Sequence, residues 1–320
     1  MELFRKKIGP VFLKEDSDAD AYVEKLNSLV EKAQGELKQK IEAEIKLASY
    51  GIIGEKNIAF ELKNCDKDMY ILHDLYFEWN DLQAQIDYMI ITRKRIYVIE
   101  CKNLIGNIEI DSSGNFVRSY ELFGKKMKEG LYSPITQNER HLLVIKGLRG
   151  QDKGFLAKKL FENNFSSTYK SLVVLANPKT YLNAKFAKKE VKRKVVRADQ
   201  LVAYIKEKDR ELNDYTFTID EMKSLAEFFL KKNIPERSDY AKKYETLLEM
   251  ANAEPVEEPK LQDSVAEVPA LEKPEQATAA KICPRCGAEL VKRIARKGSN
   301  AGQEFYGCKG FPNCRYTENL

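Results

Sequence analysis

The chain has 320 residues, of which 43% are hydrophobic and 32% are charged, and its formal net charge is +5. This length accommodates one medium-sized core and a smaller module. No apolar run approaches the ~18 residues that a membrane-spanning helix needs, and the first residues lack the apolar segment of a secretory signal. We therefore expect a cytoplasmic protein that does not bind membranes.

The first predicted elements are helices. Apolar residues recur every three or four positions between residues 16 and 64, as on the buried face of an amphipathic helix. Gly35 and the pair Gly51 and Gly54 predict interruptions or bends. We expect residues 1–47 to form a helical arm, although core packing or self-association would explain the same pattern. Glu55 then falls at a predicted helix start, where an acid suits the helix dipole.

Three strands should follow at residues 69–79 and 85–102, because β-branched and aromatic residues fill these segments. A two- or four-residue turn sets Asp87 opposite Glu100, and Lys102 shares a face with Glu100. Facing carboxylates destabilise a sheet unless a cation binds between them, and Mg²⁺ prefers such oxygen ligands. The alternative is an edge hairpin whose charges face water. His73, in the first strand, is expected to be structural.

Short strands are predicted at residues 106–110 and 115–120, followed by a helix from Ser133 and Pro134 to about residue 147. Gln137, Arg140 and His141 share one face of this helix. Gln137 could position water or phosphate, or it could lie on the surface. A continuous apolar run at residues 171–176 predicts a buried strand. Together these elements predict a mixed α/β sheet, with a core at residues 48–150 and an extension at 151–251.

The segment from Lys179 to Arg197 is strongly basic and contains a single acid, Glu190. It could contact phosphates or form a solvated face. Helices are predicted around residues 199–208, 219–232 and 238–251. Residues 252–280 are rich in proline and acids and contain no aromatic residue, so we expect a flexible, disordered linker.

Residues 281–320 contain four of the six cysteines, in two close pairs. Without an export signal this spacing favours a metal over disulfides, and four thiolates suit tetrahedral zinc. Metal binding would supply the folding energy of so small a module, and a site closed by four ligands has no catalytic position. The predicted zinc ligands are Cys283, Cys286, Cys308 and Cys314.

Basic and aromatic residues alternate around these cysteines. This composition favours single-stranded nucleic acid, because cations contact phosphates and rings stack on bases. The alternative is that some of the rings fill the core of the module. The candidate nucleic-acid contacts are Arg285, Lys292, Arg293, Arg296, Lys297, Lys309, Arg315, Phe305 and Tyr306.

The tail, CPRCGAEL…FYGCKGFPNCRY, resembles the four-cysteine zinc ribbon at the C-terminus of bacterial type I topoisomerases, over about residues 282–316. The resemblance implies DNA binding, mainly to single strands. It does not imply topoisomerase activity, because the rest of the chain does not resemble the strand-passage domains.

The segments GIIGE, HDL, QIDY, VIECKN and SPITQNERH, within about residues 48–148, resemble the nuclease-related domain family called NERD. That family is grouped with the PD-(D/E)XK nuclease fold. The resemblance implies that Glu55, Asp87 and Glu100 are ligands of Mg²⁺ or Mn²⁺, that Lys102 is the catalytic lysine, and that Gln137 is the helix glutamine of related nucleases. Ile86 stands where the wider motif has proline, and Tyr88 where histidine is common.

These observations lead to the hypothesis of a DNA-binding protein with divalent-metal-dependent nuclease activity. The metal would activate water and neutralise charge on the phosphate, and the lysine would stabilise the transition state. The alternative is a non-catalytic DNA-binding protein in which the NERD region is a scaffold. The expected fold is an α/β, PD-(D/E)XK-like mixed sheet flanked by helices, with a helical arm before it and a linker and a zinc ribbon after it.

Overall fold

The computed structural model describes residues 7–122, 124–211, 215–234, 240–252, 283, 289–294, 304–308 and 316–319. The chain divides into two compact units, Met1–Pro255 and Val256–Leu320. The first unit is a mixed α/β structure whose sheet is flanked by helices, which confirms the predicted fold class.

The strands are β1 (Pro10–Lys14), β2 (Met69–Trp79), β3 (Leu82–Thr92), β4 (Ile96–Lys102), β5 (Asn107–Ile110), β6 (Phe116–Leu122), β7 (Lys125–Leu131), β8 (Tyr169–Leu175), β9 (Tyr181–Asn183), β10 (Val195–Arg197), β11 (Leu290–Ile294), β12 (Glu304–Cys308) and β13 (Thr317–Asn319). The helices are α1 (Asp18–Val30), α2 (Gly35–Lys63), α3 (Pro134–Gly150), α4 (Phe155–Thr168), α5 (Lys189–Lys192), α6 (Ala198–Arg210), α7 (Ile219–Lys232) and α8 (Lys242–Asn252).

The main sheet has six strands in the order β1-β2-β3-β4-β8-β10. The β2–β3 and β3–β4 pairs are antiparallel, as expected for hairpins, whereas β4–β8, β8–β10 and β1–β2 are parallel. Helices α3 and α7 cover one face of this sheet, and α2 and α6 cover the other. Since β8 and β10 belong to the sheet, the predicted extension at 151–251 is part of the same folding unit as the core.

A second sheet of the first unit has four strands in the order β7-β6-β5-β9. We call it the wing sheet. Its inner residues pack on the carboxyl ends of the main-sheet strands, where Ile108, Phe116 and Ile135 form one apolar cluster with Val173 and Leu175. Strand β7 was not predicted, because its sequence KKMKEGL has no apolar alternation.

The predicted helical arm differs in two ways from the structure. The residues before α1 form β1, which pairs with β2. The arm helices also do not stand apart, since α1 and α2 share an apolar cluster with α8 that includes Leu26, Ile41 and Leu248. The side chain of Ser17 caps α1.

The bend at Gly35 is confirmed, but the predicted break at Gly51 and Gly54 is wrong. Helix α2 continues through both glycines to Lys63, so Glu55 lies well inside a helix and not at its start. Gly54 allows α2 to approach the chain just after β4 closely, because a Cβ there would lie 2.6 Å from the Cβ of Asn103. A bulkier residue would push α2 away from the end of β4.

The second unit contains the three-stranded antiparallel sheet β11-β12-β13. The predicted linker at residues 252–280 lies outside the described residues, apart from the end of α8 at Asn252. Among the helices that the structure describes, none is long and apolar enough to cross a bilayer.

Candidate functional site

The candidate site lies where β3 and β4 separate. Their ladder pairs Ile91 with Ile96 and ends with Tyr88 opposite Ile99, which is the register predicted from the turn. Asp87 comes one residue beyond this last pair. Its Oδ2 accepts a hydrogen bond of 2.6 Å from the backbone N–H of Cys101. The Asp87 carboxylate therefore occupies the gap between the diverging strands.

Glu100 and Lys102 lie on the side of the sheet that α3 covers. The Glu100 side chain is only 4% exposed, and its Oε1 lies 2.7 Å from the ammonium of Lys102. The same ammonium donates a 3.3 Å hydrogen bond to Oε1 of Gln137. Ser133 and Pro134 begin α3 as predicted, and its first turns set Gln137 above the end of β4. Three of the predicted site residues are therefore in direct contact.

His141, one turn further along α3, was left unassigned by the sequence. Its Nδ1 is 3.7 Å from Oε2 of Glu100 and has no hydrogen-bond partner. Burial and the charge of Lys102 lower the pKa of His141 to about 4. The imidazole is therefore neutral at neutral pH. The shared helical face of Gln137 and His141 was the sequence signal for this contact, whereas Arg140 points outward and is exposed.

Glu55 reaches the same region from α2, on the opposite side of the sheet. Its Oε2 lies 2.9 Å from Nε2 of His73, and its backbone carbonyl accepts a 2.9 Å hydrogen bond from the hydroxyl of Tyr88. The rings of His73 and Tyr88 are stacked, with centroids 4.5 Å apart. Nδ1 of His73 contacts the carbonyl of Glu15 at 2.9 Å. His73 is therefore a structural residue that also orients Glu55.

The buried carboxyl groups interact electrostatically. Burial and the negative charges of Glu100 and Glu55 hold the pKa of Asp87 well above its usual range. Burial also raises the pKa of Glu100, although the charge and hydrogen bond of Lys102 oppose this shift. Excess negative charge in a poorly solvated place is the environment that a bound cation relieves.

The donor chemistry fits a hard divalent cation, since the negative charges of Glu100 and Glu55 both act on the buried carboxyl group of Asp87. The side chains, however, are not arranged as a complete metal site. Among the described residues, no three Asp, Glu, His or Cys groups converge as they stand to hold an ion. Glu100 is paired with Lys102, and Glu55 with His73. A metal would therefore compete with these partners for the carboxylates.

One segment of this chain matches a known protein family. Residues 50–176 match the model described as "Nuclease-related domain", NERD. The chain carries a nuclease-related domain. All five predicted catalytic positions of this domain (Glu55, Asp87, Glu100, Lys102 and Gln137) lie inside the matched segment. No solved structure matches the chain.

The nuclease-related domain is followed by a second matched segment, residues 280–320, which fits the model "Topoisomerase DNA binding C4 zinc finger". Over 35 residues the chain is 57% identical to DNA topoisomerase 1 of Methanothermobacter thermautotrophicus, which is 11% of this chain and 4% of that protein. Over 40 residues it is 42% identical to DNA topoisomerase 1 of Methanocaldococcus jannaschii, which is 12% and 5%. The chain thus spans about one twentieth of the length of these relatives.

In the zinc ribbon the structure describes two of the four predicted ligands. Cys283 and Cys308 are buried together with Leu290, and Tyr306 and Tyr316 pack against them. The remaining ligands, Cys286 and Cys314, lie outside the described residues. So do five of the predicted nucleic-acid contacts, namely Arg285, Arg296, Lys297, Lys309 and Arg315.

The ribbon strands separate the other predicted contacts into two faces. Lys292 pairs with Tyr306, and Arg293 pairs with Phe305. Tyr306 faces the cysteine cluster and is partly buried there, so this ring serves the core of the module, the alternative that the sequence left open. On the other face the side chain of Arg293 lies over Gly307, since a Cβ at Gly307 would be 3.0 Å from its Cδ. Phe305 borders the same spot.

Proposed function

We propose that this chain is a divalent-metal-dependent nuclease that hydrolyses phosphodiester bonds in DNA and uses its zinc ribbon to hold the DNA. The observation that carries the proposal is the contact between the buried Glu100, Lys102 and Gln137 beside Asp87, at the point where β3 and β4 part. The match to a nuclease-related domain and the DNA-binding zinc finger model support it.

The proposed roles follow from position. Asp87 and Glu100, together with Glu55, would hold Mg²⁺ or Mn²⁺. Such an ion would supply a Lewis acid that activates water and neutralises charge at the scissile phosphate. The Lys102 ammonium lies between Glu100 and Gln137, from where it can turn to a phosphate oxygen and stabilise the developing charge. Gln137 then orients the ammonium or the attacking water.

We assign a single-strand preference to the zinc ribbon because of its outer face. There Arg293 and Phe305 are cross-strand neighbours, and the missing side chain at Gly307 lets both lie close to the backbone. A guanidinium and an aromatic ring side by side offer one contact to a phosphate and one stacking surface to an unpaired base.

A non-catalytic DNA-binding protein is the second candidate. It is favoured by the absence, among the described residues, of three converging metal-binding side chains. In that case the ion pair between Glu100 and Lys102 would be a permanent part of the fold, and the nuclease-related domain would act as a scaffold.

A cleavage assay with Mg²⁺ or Mn²⁺ on single- and double-stranded DNA separates the two candidates. Glu100→Ala and Lys102→Ala should each abolish cleavage and leave DNA affinity unchanged. Glu162→Ala, on the exposed surface of α4, is the matched control and should cleave normally. If the Glu100→Ala and Lys102→Ala variants both still cleave DNA, these residues do not form the catalytic site. If the unaltered chain cleaves DNA with neither ion, the non-catalytic DNA-binding function is the candidate that remains.

A further inference from the structure

The wing sheet is attached to the main sheet at the candidate site. At the carboxyl ends of β4 and β8, Lys102 pairs with Leu175. A few residues later the same two chain segments pair again in the wing sheet, where Asn107 lies beside Tyr181. A third connection, from β7 to α3, leads directly to Gln137. Three of the four connections of the wing sheet therefore start or end next to the proposed catalytic residues, and the fourth runs from β9 through α5 to β10.

The wing sheet is also fixed to the segment that follows Lys102. Nε of Arg118, on β6, donates a 2.8 Å hydrogen bond to the carbonyl of Ile105. Gly106 has a φ of +110°, and a Cβ there would lie 2.5 Å from the carbonyl oxygen of Ser119. Only glycine allows β6 to approach this closely. The orientation of the wing sheet is therefore coupled to the end of β4.

The outer strand of the wing sheet is positively charged. Strand β7 is exposed from Lys125 to Gly130 and, within the part of the chain that the structure describes, has a partner strand on one side only. Lys126 and Lys128 are two residues apart and therefore point to the same face. Across the ladder they stand opposite Glu121 and Ser119, so one acid faces two lysines.

Cations also lie over aromatic rings around the same end of the domain. The guanidinium of Arg118 is 4.2 Å from the ring centroid of Tyr120. That of Arg140 is 5.7 Å from the centroid of Tyr132, whose surface is 61% exposed. Tyr132 lies between β7 and α3, one residue before the helix cap. Tyr120 is half-buried, whereas the exposed ring of Tyr132 paired with a cation suits a base and a phosphate together.

From these contacts we infer that the wing sheet binds the phosphate backbone of DNA and guides the strand along β7 and past Tyr132 to Lys102. The inference rests on the proposed DNA-directed function and adds a second DNA-binding surface, within the nuclease-related domain itself. Charge complementarity supports it, since Lys126 and Lys128 extend from one face of an exposed strand that leads to the site. The competing explanation is that lysines on an edge strand only prevent pairing with other chains.

The test measures DNA affinity of the full-length chain by fluorescence anisotropy, with EDTA present so that no cleavage occurs. Duplex and single-stranded oligonucleotides of equal length are used over a series of salt concentrations. The variant is Lys126→Glu with Lys128→Glu. The matched control is Lys158→Glu with Lys159→Glu, which makes the same charge change on exposed positions of α4.

Each lost phosphate contact lowers the slope of log affinity against log salt by roughly 0.9 on duplex DNA. The β7 variant should therefore bind at least about tenfold more weakly at low salt, with a slope reduced by about 2, while the α4 control keeps the original slope. The relative losses on the two oligonucleotides identify which form of DNA the wing sheet holds. Equal affinity and slope for both variants would overturn the inference and leave the lysines as protection of the strand edge.

Two further variants separate a loss of DNA contacts from a loss of folding. The milder variant Lys126→Gln with Lys128→Gln should lose affinity in the same direction, and circular dichroism verifies that each variant is folded. Tyr132→Ala removes an exposed ring and should weaken binding without changing stability. If the unaltered chain binds through β7 but never cleaves, the nuclease proposal fails and the wing-sheet inference stands.

Discussion

Replacing Gly147 by alanine tests how closely α3 must lie to the main sheet. A Cβ at this position would overlap the ring of Trp79, on its Cδ2, Cε2 and Cε3 atoms, whereas carbon atoms ordinarily stay ~3.5–4.0 Å apart. The ring or the helix must therefore move. Gly150, at the end of the same helix, provides the control, because a Cβ there would be 3.7 Å from the nearest atom of Phe161.

Two opposing free-energy changes decide the result. Overpacking of this kind costs about 1–3 kcal/mol, and the better helix propensity of alanine returns about 1 kcal/mol. We expect Gly147→Ala to lower the free energy of unfolding by up to about 2 kcal/mol. Gly150→Ala lacks the clash, so it should leave that free energy equal or slightly higher.

Urea unfolding followed by tryptophan fluorescence measures both effects, because Trp79 is the one tryptophan in the chain. The emission of Gly147→Ala should shift even in the folded state. Since α3 also holds Gln137 and His141, a displaced helix should slow the proposed cleavage as well. Equal stability and unchanged emission in Gly147→Ala and Gly150→Ala would refute the close packing of α3 on β2.

Three further predictions concern other parts of the chain. Asp68 accepts hydrogen bonds from two backbone N–H groups and from the side chain of Arg93. Burial alone would raise the pKa of Asp68, but these hydrogen bonds outweigh it and hold the pKa below its ordinary value of 3.8. A carboxyl group with a lowered pKa stabilises the fold only while it is ionised. Asp68→Asn should therefore lower the free energy of unfolding by about 1–3 kcal/mol at pH 7. In urea unfolding, the difference from the unaltered chain should shrink as the pH falls below 4. Cys283→Ser should reduce zinc content measured by mass spectrometry and lower DNA affinity, whereas unchanged zinc would exclude this ligand. If one base stacks on Phe305, Phe305→Ala should weaken binding to single-stranded DNA by roughly five- to hundredfold. Binding to duplex DNA is the internal control and should be less affected. An equal loss of affinity for both forms would contradict stacking.

The sequence predicted the central hairpin well because its signal is local. Alternating β-branched and aromatic residues fill both strands. The short turn fixes the register, in which the last pair is Tyr88 with Ile99 and Asp87 lies one residue beyond that pair. The start of α3 was equally clear, since Ser133 and Pro134 are a strong local signal for a helix N-terminus. Such features depend on residues only a few positions apart, so one sequence is enough to find them.

The sequence could not predict features that depend on distant parts of the chain. Gly51 and Gly54 favoured a break in α2, but packing against Asn103 and Ala176 requires the second glycine within a continuous helix. Leu143 is apolar yet 55% exposed, because the buried stripe of α3 runs through Val144, Ile145 and Leu148. Strand β7 has no apolar pattern and is held by its ladder with β6 and by Leu131, which packs against the apolar cluster of Ile108 and Phe116.

The candidate site shows the same division. The i, i+2 relation of Glu100 and Lys102 can be read from a strand, and their shared contact with Gln137 follows once α3 crosses the strand end. The position of Glu55 on the other side of the sheet could not be foreseen, because it depends on how α2 packs. Nor could the contact of His73 with Glu55, which joins residues 18 positions apart in different elements.

The contact between His73 and Glu15 bears on how this protein can be shortened. The carbonyl that accepts from the imidazole belongs to a segment 35 residues before the start of the matched domain at residue 50. Trimming the gene to residues 50–176 would remove that support, together with β1 and β10 from the two borders of the main sheet. The excised piece would expose two unpaired strand borders and leave Glu55 without its oriented imidazole. The smallest piece that can fold and be assayed is therefore considerably longer than the segment that family resemblance delimits.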